Sequence, residues 1–212
     1  MPPPRGRSNR ERTGVSLLKL PFLVALALAI AFSGGIASSR YALDHVRRFD
    51  ALKIGPWEAW PDLQTVRADP YELAYRAREG RILLGEAEGL AFTATTDSDG
   101  EGLSGRCRYI IAGTTPAARL WTLRVADRQG RPFATRTDVL PRALHSHDVL
   151  RDSEGSFRIL VSQEAQAGNW IALDHAGPVE FVLTLFDTPA AGNAGLIKLA
   201  MPTIRRMGCG DA

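Results

Sequence analysis

Apolar and polar positions divide the chain into stretches of different period. From Leu20 to Ala37, "LPFLVALALAIAFSGGIA" runs for eighteen residues without a charge. That is long enough for a helix to cross the hydrocarbon core of a bilayer, where every backbone group must bond within its own segment. "YALDHVRRFDALKIG" then places Leu43, Val46, Phe49 and Leu52 at helical intervals. This predicts a short amphipathic helix or an extension of the apolar one. "ADPYELAYRAREG" carries helix punctuation: Asp69 as N-cap, Pro70 in the first turn, Glu72 at capping-box spacing and Gly80 as the stop. Beyond it the period changes to two. "GLAFTATTD" and "RCRYIIAG" alternate, the latter with Cys107, Tyr109 and Ile111 inward against Arg106 and Arg108. "RLWTLRVAD", "RPFATRTDVL", "ALHSHDVLR", "SFRILVSQ" and "VEFVLTLFD" continue the series, with Gly, Asp and Pro turns between them. Short strands at such regular spacing predict a mainly β domain, an antiparallel β-sandwich or barrel. After Pro189 the chain is Gly- and Ala-rich, and "GLIKLAMPTIRRMG" reads as containing a short helical turn.

The expected organisation is a basic leader (1–16), a membrane anchor (17–37), a linker (38–66), the sandwich (67–189) and a tail packed on it (190–212). Charge sharpens this picture. The pI of about 9.1 suggests nucleic acid. Yet residues 1–19 hold five basic residues against Glu11 alone, and the rest of the chain has 21 basic and 22 acidic residues. The excess is therefore a topology signal ahead of the span, and no nucleic-acid partner is expected. The loop charges favour the N-terminus inside: five Lys/Arg before the span, and Arg40, Arg47, Arg48 and Lys53 after it. This predicts a single-pass protein of the bacterial inner membrane with its body in the periplasm. A cleaved signal peptide is the alternative, with Gly35 and Ala37 offering a small-residue site.

The two cysteines, Cys107 and Cys209, bear on the compartment. In an oxidising space they most simply form one disulfide, stapling the tail to the body. The alternative is two buried free thiols acting as small hydrophobes. The final "CGDA" has prenylation spacing, but Asp211 stands where an aliphatic residue is needed.

Taken together, "GPWEAWP", "ADPYELAYRAREG", "EGLAFTATTDSDGEGLSGRCRYIIAG", "ARLWTLRVAD", "SEGSFRILVS", "GNW" and "VEFVLTLFDTP" resemble the bacterial family called domain of unknown function 1214, over roughly Gly55 to Cys209. The resemblance implies a jelly-roll-like antiparallel sandwich in a membrane-anchored, stand-alone form. It also implies a candidate partner, an envelope protein carrying the domain of unknown function 1254 to which some relatives are fused. Relatives tend to carry an Arg and a Tyr in the last strand, where this chain has Thr184 and Phe186. The family supplies no catalytic motif.

Candidate chemistry is sparse. His145 and His147, two apart, would face one way on a strand and could ligate a metal, but Asp148 would face the opposite way and the next Glu, Glu154, is seven residues on. Two exposed histidines are the default reading, and no metal or other cofactor is expected. "GLSGR" around Ser104 lacks the spacing of a nucleophile elbow. Asp97, Asp99 and Glu101 in "DSDGEG" suggest a hairpin tip ahead of a calcium loop. Asn169 and Trp170, with Arg119, are the candidate ligand-binding residues, an aromatic face beside an amide. For Trp170 the competing reading is a core residue opening a strand. The favoured function is a non-enzymatic envelope protein binding a glycan, a lipid or another envelope protein. The alternative is a hydrolase or metal-dependent enzyme using the sandwich face.

Overall fold

The computed structural model describes residues 19–46, 51–61, 84, 88–133, 140–193 and 199–210. The chain divides into two compact units, Met1–His45 and Val46–Ala212. The first contains most of helix α1 (Lys19–Val46). At 1.5 Å per residue the helix is about 42 Å long. Its segment Lys19–Ala42 has mean hydropathy 2.2 and none of it is buried, so by length and composition it can cross a membrane. The helical spacing of Leu43 and Val46 therefore continues α1, whereas Leu52 lies in a strand.

Among its described residues the second unit has ten strands in two sheets. Strands β1 (Leu52–Ile54), β2 (Trp57–Ala59), β3 (Gly89–Ala94), β5 (Leu120–Ala126), β6 (Ala143–His145) and β9 (Glu180–Phe186) form a six-stranded antiparallel sheet in the order β1-β2-β3-β9-β5-β6. Strands β4 (Cys107–Gly113), β7 (Phe157–Ser162), β8 (Trp170–Ala172) and β10 (Thr203–Cys209) form a four-stranded sheet in the order β10-β4-β7-β8. Its β7–β8 pair is parallel, the exception to an otherwise antiparallel fold. A four-residue helix, α2 (Ala190–Asn193), follows β9.

The inner faces meet in one apolar core. Phe92, Leu123, Phe181 and Leu183 from the larger sheet pack with Tyr109, Ile111, Ile159 and Ile171 from the smaller. Tyr109 meets Phe181 edge-on at 5.6 Å, and Trp121 lies 5.0 Å from Phe157. Fully burying each such side chain is worth about 1.5–3 kcal/mol. The polar handles of Tyr109 and Trp57 are satisfied, whereas the buried Nε1 of Trp121 has no hydrogen-bond partner among the described residues. Tyr109 Oη donates to the carbonyl of Ser104 and accepts from its amide, and Trp57 Nε1 donates to the Pro202 carbonyl at 2.7 Å.

Two expectations change. The tail contains an unexpected strand, β10 (Thr203–Cys209), paired along β4 with a bulge between Arg206 and Gly208, while residues 194–198, where the helical turn would begin, lie outside the described residues. "ALHSHDVLR" is a strand only as far as His145, after which residues 146–148 turn and the Asp148 amide donates to the His145 carbonyl. The helix expected at "ADPYELAYRAREG" and most of the strand expected at "RPFATRTDVL" lie outside the described residues.

The disulfide is formed. Cys107 and Cys209 are direct partners in the β4–β10 ladder, and their bond closes a separation of 102 residues. Near it the chain passes very close to itself. A side chain at Gly105 would collide with the backbone of His175, and the Gly105 amide donates to the Gly177 carbonyl. Glycine is what this close approach permits.

Candidate functional site

The inward residues of the four-stranded sheet are the core just described, so its alternate residues form the outer face. Strand pairing sets these outward residues in rows. Arg205, Ile110, Leu160 and Trp170 are successive register partners across all four strands, about 14 Å from end to end at normal strand spacing. Thr203, Ala112 and Arg158 form the next row, and on the other side Arg108 stands opposite Gly208. Arg106 lies just before β4.

The strand positions of this face carry one sign of charge, while Asp152 and Glu164 border two hollows at its ends. Arg106, Arg108, Arg158 and Arg205 are exposed, and no strand position on it is acidic. Among the described residues none of these four has a carboxylate partner, and neither does Arg128 at the β5 hairpin tip. Other described arginines of the sandwich are engaged. Arg119 pairs with Asp187, Arg131 with Asp127, Arg142 with Asp174 and Arg206 with Asp97, while Arg151 lies over the rings of Trp121 and Phe157. An exposed arginine is ordinarily only solubilising. Four unpaired ones on the face of a nearly neutral domain set up a local field that favours anions.

A hollow lies at each end of the face. One, of about 560 Å³, is lined by Ala112, Leu160, Leu150, Arg158 and Asn169, with Asp152 also on its wall. The other, of about 320 Å³, lies over the disulfide between Arg106 and Arg108, with Glu164 at its edge. Guanidinium groups offer forked donors that match phosphate, sulfate or carboxylate oxygens. Of the apolar row between them, Ile110 is buried, and half-buried Leu160 and Trp170 offer a surface to any aliphatic or ring portion of the same ligand.

The residues singled out from sequence fall in different places. Asn169 borders the larger hollow, but its amide is spent on backbone. Nδ2 donates to the carbonyls of Leu150 (2.8 Å) and Arg158 (3.0 Å), and Oδ1 accepts from the Leu150 amide at 2.8 Å. It thus fixes the segment that presents Leu150. Trp170 opens β8 on the outward side, half-buried, with Nε1 donating to Ser162 Oγ at 3.1 Å. Arg119 is remote in the fold: it sits before β5, 83% exposed and 3.5 Å from Asp187. His145 and His147 are both exposed, and the turn between them breaks the strand alternation that would have aligned them. Among the described residues no three His, Cys, Asp or Glu side chains group to hold a metal. Asp97 closes a hairpin tip, its Oδ1 accepting from the amides of Asp99 (3.2 Å) and Glu101 (2.9 Å). Ser104 lies in that hairpin, its backbone bound to Tyr109.

With the geometry in place, comparison with known proteins becomes informative. Residues 88–190 match the model of a family described as protein of unknown function (DUF1214). The matched range runs from just before β3 to the first residue of α2. It is narrower than the resemblance read from Gly55 to Cys209, and β1, β2 and β10 lie beyond it. The crystal structure of the VPA0106 protein from Vibrio parahaemolyticus is similar in fold, with TM-score 0.53 at 18% identity, covering 66% of this chain and 36% of that one. That of an uncharacterised protein from Burkholderia cenocepacia aligns with TM-score 0.41 at 17% identity, covering 82% of this chain and 40% of that one. This chain thus spans well under half the length of either. No curated protein matches it. Of the face's four arginines, Arg106, Arg108 and Arg158 lie within the matched range, and Arg205 on β10 lies beyond it.

Proposed function

We propose that this protein is a binding module held at the bacterial inner membrane by α1, with its DUF1214 sandwich in the periplasm, and that the outer face of the four-stranded sheet binds an acidic ligand. The observation that carries the reading is the one-signed row of unpaired arginines flanking Ile110, Leu160 and Trp170. The length and hydropathy of α1 and the basic residues ahead of it support the tether. The Cys107–Cys209 bond supports an oxidising compartment. Of the ligand classes open from sequence, the face selects their acidic members: an anionic lipid, an acidic glycan or an acidic protein surface.

The test uses the full chain in detergent micelles and the anisotropy of fluorescent dextran sulfate, with neutral dextran as control. Binding to the sulfated polymer alone, markedly weakened in R108Q/R158Q/R205Q, supports the reading. Equal binding by the triple variant, or binding to neutral dextran, contradicts it.

A further inference from the structure

We infer that the arginine face docks on the surface of an anionic lipid bilayer. The inference rests on the anion-binding reading above and names its ligand. A second set of side chains carries it. The large apolar residues exposed on the described part of the sandwich are Leu140 (37%), Leu150 (69%) and Met207 (53%). Leu150 stands at the rim of the larger hollow, held there by the Asn169 clamp. Met207 lies two residues along β10 from Arg205, at the bulge. Leu150 therefore shares a hollow with Arg158, and Met207 is two residues from Arg205.

That combination fits a lipid surface. Arginines meet headgroup phosphates through forked hydrogen bonds, while protruding apolar side chains enter the boundary between headgroups and acyl chains. Trp170, half-buried with its Nε1 engaged, suits the edge of such a contact. A sulfated or carboxylated glycan would satisfy the arginines and leave Leu150 and Met207 in water. An acidic protein surface would need a partner shaped to two separated protrusions, whereas a fluid bilayer adapts to them. A tether through α1 would keep the surface at an effective concentration on the order of millimolar, so a weak contact suffices.

The experiment places the full chain in nanodiscs of phosphatidylcholine, with or without phosphatidylglycerol. An environment-sensitive fluorophore is attached at Leu150→Cys, an exposed position, with Arg128→Cys at the β5 hairpin tip as the control site. The native disulfide leaves the new thiol as the one to label among the described residues. In phosphatidylglycerol discs the label at 150 is expected to shift to the blue and to be quenched by brominated lipid, and the label at 128 is not. Adding R158Q/R205Q should return the label at 150 to its behaviour in neutral discs. Identical behaviour at 150 in both kinds of disc overturns the docking, as does equal quenching at 150 and 128. If millimolar inorganic phosphate in neutral discs reproduces the whole response, the site takes free anions and the docking again fails. Dextran sulfate binding that survives any of these failures leaves the anion-binding reading intact and removes only the bilayer as its target.

Discussion

Asp97 organises the edge of the sandwich that presents Arg205, and removing its carboxylate should show how much. The side chain is buried, at 2% exposure against 27% for its partner Arg206, and the two are 3.2 Å apart. Its other oxygen accepts the amides of Asp99 and Glu101 at the hairpin tip. The same tip binds β10 through the Ser98 amide to the Ile204 carbonyl and the Ile204 amide to Ser98 Oγ. Asp97→Ala therefore leaves two backbone donors and one guanidinium short of an acceptor. Breaking a buried pair costs about 3–5 kcal/mol, but this one is open to water on the arginine side, and Arg206 keeps its 2.7 Å bond to the Gly102 carbonyl. We expect about 3 kcal/mol, which for a unit of this size lowers Tm by roughly 6–12 °C. Asp97→Asn keeps an oxygen for the turn amides and loses only the ion pair, so it should cost about 1–2 kcal/mol. Thermal melts followed by circular dichroism separate the three proteins. Hydrogen exchange should show Ile204–Arg206 loosening first. A melting point for Asp97→Ala within 1 °C of the parent, or equal losses for the two variants, would refute the reasoning.

Three further outcomes follow from the fold. Cys209→Ser should destabilise the sandwich by up to about 4–5 kcal/mol, the chain-entropy value for a loop of about 100 residues, and reductant should do the same to the parent; an unchanged melting curve contradicts the staple. Trp170→Ala should cost about 1–2 kcal/mol, less than a core tryptophan, because the ring is half-buried, while weakening dextran sulfate binding; a loss above about 4 kcal/mol would return Trp170 to the core. A reporter fused after Ala212 should be active in the periplasm and silent as a cytoplasmic one; the reverse result would overturn both the tether orientation and the compartment.

Much of the sandwich was legible because its strands are amphipathic over six or seven residues. Alternation in "RCRYIIAG" put Tyr109 and Ile111 inward and Arg106 and Arg108 outward, as observed. β10 was missed because "GLIKLAMPTIRRMG" begins with good helix formers, and the bulge after Arg206 breaks the period of two. At β1 a run of three residues is too short for period to decide, and the helical spacing of Leu52 with residues before it misled. The histidines were aligned only by assuming a strand that stops at His145. The arginine face was hidden for a different reason. Its members come from β4, β7 and β10 and the residue before β4, up to about a hundred residues apart, and only strand register brings them together. A charge sum averages them against acidic residues elsewhere. Sequence did contain a weaker signal, an arginine at the outward position of each of "RCRYI", "SFRIL" and "TIRRM".

The most direct test of the arginine face is the salt dependence of dextran sulfate binding. Each cation–anion contact on a polyelectrolyte releases condensed counterions, with a slope of log K against log salt near −0.7 to −0.9 per contact for nucleic acids. If Arg108, Arg158 and Arg205 bind the ligand, R108Q/R158Q/R205Q should reduce the magnitude of that slope by about 2, while its melting temperature stays within about 2 °C of the parent. A slope unchanged in the folded triple variant would show that these arginines are an ordinary solvated face.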